Sequence, residues 1–166
     1  MAIALKMVRA MYGHAVWAND QLLTAAERLP PEKLDDDVPG GYGTIRETFL
    51  HLLSVQRNWL RRFQELEPIA NLDPGEFPDI AAFRDRWHTL NAETETFLAS
   101  LTDEALEEWI HMMFISGEAG DAYRWQAMLH LGMHQHQHRG ELAAVLTTLG
   151  SSPGELDVFD YLESQE

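Results

Sequence analysis

At 166 residues with 45% hydrophobic content, the chain suits one domain over residues 1–166, with a sizeable core. Its 27 acidic residues against 12 basic ones give a formal charge of −15, a field that repels phosphate backbones and anionic lipid and excludes nucleic acid and membrane surfaces as partners. Cysteine is absent, so disulfides, thiolate ligands and a cysteine nucleophile are excluded as well.

The first residues, Met1 to Arg9, are interrupted by Lys6 and Arg9 and run straight into a helical pattern, unlike the apolar core of a signal peptide. No run reaches the length of a membrane span, and a cytoplasmic location is expected. Leu5, Val8, Tyr12, Ala15, Asn19, Leu22, Ala26 and Leu29 alternate spacings of three and four, the seam of a long amphipathic helix that Pro30 and Pro31 end. Asn19 is the polar member of that seam, placed to bond across helices or to support a buried site.

Residues 30–43 read as a loop with room for a short turn after Pro31. Thr44-Ile45-Arg46-Glu47 then matches a capping box, which predicts a second helix running to about Phe63 and carrying His51. Three prolines mark residues 67–78 as loop, and Asp79 is a candidate cap for a third helix. Its seam is Ile80, Phe83, Trp87, Leu90, Thr94, Phe97 and Leu101, with an end near Ser100 and His88 on the surface.

A short acidic helix is expected after Thr102, followed by an apolar stretch from Trp109 to Ile115 that could be a strand or an extended cover. His111 within it is a minor site candidate. Asp121 is the expected cap of a fourth long helix that reaches about Leu149 before Gly150 stops it. The acidic tail, with Phe159, Tyr161 and Leu162, is expected to pack back on the bundle or on a partner subunit. The outline is an all-α chain whose four long seams pack as an antiparallel four-helix bundle, a common setting for metal sites.

That fourth helix holds the densest chemistry, His130-Leu-Gly-Met-His134-Gln-His136-Gln-His138-Arg-Gly-Glu141. Four-residue steps advance His130, His134 and His138 by only about 40° each, so they share one face with Ala127, Glu141 and Val145. Leucines border that face, so it points inward, while His136 lies opposite and is solvated. Unpaired buried imidazoles are costly, and a shared metal ion is the economical explanation. Two imidazoles from this helix and His51 from a facing one would give three protein ligands and an open position, the arrangement of a catalytic centre. Spacing alone leaves His130 with His134 as good a pair as His134 with His138.

Trp17-Ala18-Asn19, Tyr42-Gly43-Thr44-Ile45-Arg46-Glu47-Thr48-Phe49-Leu50-His51 and His134-x-x-x-His138-Arg139-Gly140 together resemble the DinB-like family, within the DinB/YfiT-like metalloenzyme superfamily. The resemblance covers most of the chain in order. It implies an up-down-down-up four-helix bundle, a homodimer, and one divalent ion per chain, zinc or nickel, on His51, His134 and His138. His130 then becomes a neighbour of the site, in the surrounding shell with Asn19. Glu141 departs from the family pattern, where Gln commonly follows His-Arg-Gly. Its carboxylate could orient a ligand imidazole, serve as a catalytic base, bind the ion, or pair with Arg139 or another basic residue, Arg139 itself being expected in a structural ion pair.

The superfamily includes thiol-dependent S-transferases and a thiol-dependent isomerase. The leading expectation is therefore transfer of an exogenous low-molecular-weight thiol to a small electrophile. The alternatives are a metal-dependent hydrolase that activates water, with Glu141 as base, or a non-catalytic metal-binding dimer.

Overall fold

The computed structural model describes residues 3–165, and its long helices follow the seams read above. α1 (Ile3–Glu27) buries Leu5, Tyr12, Asn19, Leu22 and Ala26 before the two prolines divert the chain into a 3-10 turn at Pro31–Asp35. α2 (Ile45–Phe63) opens on the full capping box. The Thr44 hydroxyl accepts from the Glu47 amide at 3.2 Å, and the Glu47 carboxylate accepts from the Thr44 amide at 2.8 Å. Gly43 makes this closure possible: its φ is +66°, and a Cβ there would collide with the Glu47 carboxylate.

α3 (Ile80–Ser100) starts where Asp79 accepts from the Ala82 amide, as its cap position predicts. The single turn α4 (Asp103–Leu106) leads into β1 (Trp109–Met113), which pairs antiparallel with β2 (Ala119–Tyr123) in the register Trp109↔Tyr123 to Met113↔Ala119. Residues 115–117 form the loop of this hairpin, with Gly117 at φ +85° in the left-handed position that such loops require. α5 (Arg124–Thr148) follows, then α6 (Val158–Glu163).

Two expectations need correction here. The chain is mostly helical but not all-α, because the hairpin is a genuine two-stranded sheet that seals the core with Ile110 and Met112. Asp121 does not cap α5. It lies within β2 opposite His111, whose Nδ1 bonds its carboxylate at 2.7 Å, and α5 begins only after Tyr123.

In the bundle, α1 packs on α5 and α3, and α2 packs on the same two helices. Phe49, Phe83, Leu22, Leu90, Met128 and Leu142 fill the space between them. Buried polar groups fix how the helices align. Gln135 Nε2 on α5 donates to the Leu52 carbonyl of α2 at 3.1 Å, and Gln56 on α2 accepts from Trp87 Nε1 at 3.0 Å and donates to Asn91 on α3. On α1, Asp20 and Glu27 both receive Arg84 of α3. The tail packs back on α1, where a ring nitrogen of His14 donates to the Leu156 carbonyl at 2.8 Å. No helix among the described residues is long and apolar enough to cross a membrane.

Arg124 ties the sheet end of the molecule together. It is 7% exposed and donates to the carbonyls of Phe63 and Ala105, which close α2 and α4, and to Glu108. Arg124→Met keeps the stem but strands the Phe63 carbonyl, while Ala105 still accepts from the Glu108 amide, and urea unfolding should show a loss of about 2–4 kcal/mol. A loss below about 0.5 kcal/mol, the level of an ordinary surface change, would show that the helix ends do not depend on it.

Candidate metal centre

The Gln135–Leu52 bond sets which rung of α2 faces which turn of α5, and it sits between the histidines of both helices. His51 therefore meets His134 and His138, with ring centroids 5.3 Å and 4.9 Å away, and the two α5 rings lie 4.7 Å apart. One ligand nitrogen from each of the three lies within 4.8 Å of the others, so a small inward turn of the rings would bring all three to one ion at about 2.0–2.1 Å.

The other candidates fall outside this cluster. His130 is exposed one turn earlier on α5, its ring 6.1 Å from His134 and 5.2 Å from Trp59. His136 is exposed on the opposite side, beside His14, and His111 is occupied with Asp121 on the hairpin. Asn19 reaches α5 at Arg139, whose guanidinium donates to its Oδ1 at 3.5 Å. Arg139 is not in the ion pair expected of it. It is 3% exposed and pairs with no carboxylate among the described residues, because its position turns the side chain into the α1–α5 interface rather than toward the acidic surface.

Burial disfavours the charged form of two of the imidazoles. It pulls His51 down to about 4, helped by His138 and His134, and it lowers His134 in the same way with help from His138 and His130. His51 Nε2 and His134 Nδ1 are buried and meet no hydrogen-bond partner, so each ring keeps a lone pair to offer. His138 is oriented instead: its Nδ1 lies 2.7 Å from Glu141 Oε2, and Gln137 donates to Glu141 Oε1 at 3.0 Å.

Burial pushes the Glu141 carboxyl up, but the hydrogen bonds from Gln137 and His138 and the nearby imidazoles more than offset this and hold it below its ordinary value. An ionised carboxylate only accepts, so His138 carries its proton on Nδ1 and presents Nε2. Two unpartnered nitrogens and a third ring oriented by a carboxylate form a donor set that fits one divalent ion. Glu141 joins this group through His138 and not as a member of it.

Tyr42 was not singled out by periodicity, yet it covers the cluster. Its ring stacks on His51 at 3.9 Å and 20°, and meets His138 edge-on at 6.2 Å. The loop that carries it is stitched down. Val38 donates to Gly43 at 2.8 Å, Gly41 donates to Val38 at 2.9 Å, and the Thr48 hydroxyl holds the Tyr42 carbonyl at 2.8 Å. Gly41 also lets the loop approach Glu141, since a Cβ there would lie 3.0 Å from its Oε2. A cleft of about 200 Å³ lined by Tyr42, Leu50, His51, Ser54 and Leu72 opens beside the cluster. The available signal was the Tyr-Gly-Thr sequence just ahead of the capping box, whose left-handed glycine fixes the direction of the loop.

Uncharacterized protein YizA of Bacillus subtilis (strain 168) is 26% identical over 135 residues, covering 81% of this chain and 82% of its own. Among solved structures, YfiT from Bacillus subtilis superposes with a TM-score of 0.66 at 18% identity, over 92% of this chain and 91% of its own. YfiT is described as a probable metal-dependent hydrolase with an unusual four-helix bundle topology. A conserved protein from Enterococcus faecalis superposes with a TM-score of 0.62 at 10% identity, over 88% of this chain and 96% of its own. These two likenesses establish the fold. The profile of the DinB family matches residues 3–166, and the chain belongs to that family.

Proposed function

We propose that this protein is a metal-dependent hydrolase of small molecules, with one divalent ion, zinc or nickel, held by His51, His134 and His138. The observation that carries the reading is the convergence of three imidazoles, two of them with a buried nitrogen that no protein group satisfies. The similarity of the fold to YfiT, itself described as a probable metal-dependent hydrolase, supports it. Such an ion supplies Lewis acidity, which lets water act as a nucleophile at neutral pH.

The chain's own groups do the rest. Glu141 fixes the tautomer and direction of His138, and as an ionised carboxylate behind that ring it would strengthen the ring as a ligand. Tyr42 shields His51 from bulk solvent, and the adjoining cleft limits the substrate to a small molecule. The acidic surface favours neutral or cationic substrates over anions.

An up-down-down-up order is part of this reading. It is supported by the contacts that join Asn19 to Arg139, Arg9 to Leu98, Gln56 to Asn91, and Leu52 to Gln135. A homodimer is supported by Trp125, Leu129 and Met133, an exposed apolar row at four-residue spacing on α5, with Met7 and Met133 lining one cleft.

Elemental analysis and X-ray absorption of the purified protein should find about one ion per chain, bound by about three imidazoles and lost in His51→Ala. A screen of small esters and amides, with and without an added thiol, should give hydrolysis independent of the thiol. Protein that binds no added divalent ion overturns the reading, and turnover only with thiol replaces hydrolysis by thiol transfer. Glu141→Gln keeps the acceptor but loses the charge, and should weaken metal binding by about 10–100-fold. Unchanged metal affinity would remove Glu141 from the support of His138. Light scattering should read a dimer that Met133→Glu dissociates, and a wild-type monomer at all concentrations refutes that assignment.

A further inference from the structure

Apart from the histidine cluster between α2 and α5, an open cleft of about 750 Å³ lies between α1, α5 and the tail. Its α1 wall presents Met7, Met11 and His14, spaced by four and three and so on one helix face. Its α5 wall presents Gly132, Met133 and His136. Contacts run in step along the two helices. Met11 Sδ rests on Gly132, where any Cβ would collide with it, the His14 ring lies 6.5 Å from that of His136, and Asn19 meets Arg139 further on. The helices are therefore parallel here, and Met11 stands one turn before the imidazole pair. Side chains on a helix lean toward its N-terminus, which carries His14 back over the turn that holds Met11.

The donor atoms are open to a ligand. His14 Nε2 donates to the Leu156 carbonyl at 2.8 Å, so Nδ1 keeps a lone pair, which no described residue engages. That nitrogen is not sealed as His51 Nε2 and His134 Nδ1 are, Met11 is partly exposed, and His136 is exposed. Two rings bound to one ion at about 2.0–2.1 Å per nitrogen hold their centroids roughly 5–6 Å apart, and a small turn of the exposed His136 closes the difference. Among the described residues no third histidine or carboxylate closes a group around this pair, so the neighbouring thioether is the available third donor. Arg139 reaches the cleft but turns its guanidinium to Asn19, and Glu155 and Asp157 on the walls, with a net charge of −15, favour a cation.

We infer that Met11, His14 and His136 form a second metal site, independent of the histidine cluster, for copper(I). Two imidazoles and a thioether, with no thiolate in the chain, are an uncharged and soft donor set, which suits a monovalent soft ion over harder divalent ones. The inference does not rest on the hydrolase reading.

The test is anaerobic titration of the full chain with copper(I) against the competing chelator bicinchoninate, with X-ray absorption at the copper edge. A sulfur scatterer at about 2.3 Å should appear beside nitrogen, and without cysteine it comes from a methionine. Met11→Leu, a swap of similar volume that the fold tolerates, should remove the sulfur signal. His136→Gln, on the surface, should weaken copper(I) binding at least about tenfold, the scale on which even a supporting group changes metal affinity. His51→Ala breaks the histidine cluster and should leave the sulfur signal in place, so failure of the hydrolase reading does not touch this result. Copper bound by nitrogen alone, sulfur that survives Met11→Leu or vanishes in His51→Ala, or affinity indifferent to His136→Gln each overturns the inference.

Discussion

A nitrogen lone pair taken out of water and given no donor is a cost that a folded chain avoids unless something enforces it. Here two such nitrogens, on His51 and His134, sit in one cluster, and the enforcement comes from elsewhere in the molecule. Gln135 holds α5 against the Leu52 carbonyl. Arg124 ties the end of α2 to α4 and the start of α5, while the capping box and Arg46, which bonds Asp35 and the Phe77 carbonyl, anchor the start of α2. Drawing the imidazoles apart would mean sliding one helix along the other and breaking several of these bonds at once. The scaffold is thus organised before any ligand arrives, which is the condition for a precise polar site.

Much of this was legible because helices write their faces into the chain. The seams of α1 and α3, the Thr44–Glu47 cap and the Asp79 cap all stand where spacing placed them. The common face of His130, His134 and His138 was equally plain, but a face gives direction and no partner. Which pair meets His51 depends on the rung of α2 that Gln135 selects, a long-range fact that appears in no local window. Tyr42 was hidden because its loop is shaped by left-handed glycines and backbone bonds, which carry no periodicity. β2 was hidden because Ala-Gly-Asp-Ala-Tyr has little strand propensity, and it is a strand only because Gly117 turns it back onto β1.

The distribution of charge is also instructive. The described residues include no buried carboxylate side chain, whereas Arg62, Arg124 and Arg139 are all nearly inaccessible. Among these cations Arg124 has a carboxylate partner, Glu108, and even there most of its bonds go elsewhere. Arg62 donates to the Met113 carbonyl and lies over Trp59 and Phe114, Arg124 gathers helix-end carbonyls, and Arg139 turns to Asn19. Apart from Glu108 beside Arg124, backbone oxygens, an amide and aromatic faces take the part that acidic partners would otherwise play.

The stitched loop around Tyr42 has a kinetic consequence. Its backbone is held at Val38, Gly41, Gly43 and Thr48, so the ring that covers His51 is uncovered by torsion about its own side-chain bonds rather than by travel of the loop. Rotamer motion of a half-exposed side chain runs on a picosecond to nanosecond scale, well ahead of loop rearrangement. The mouth of the cluster is then a fast shutter and not a slow lid, so it sorts arriving molecules by thickness and reach while leaving their rate of arrival to diffusion.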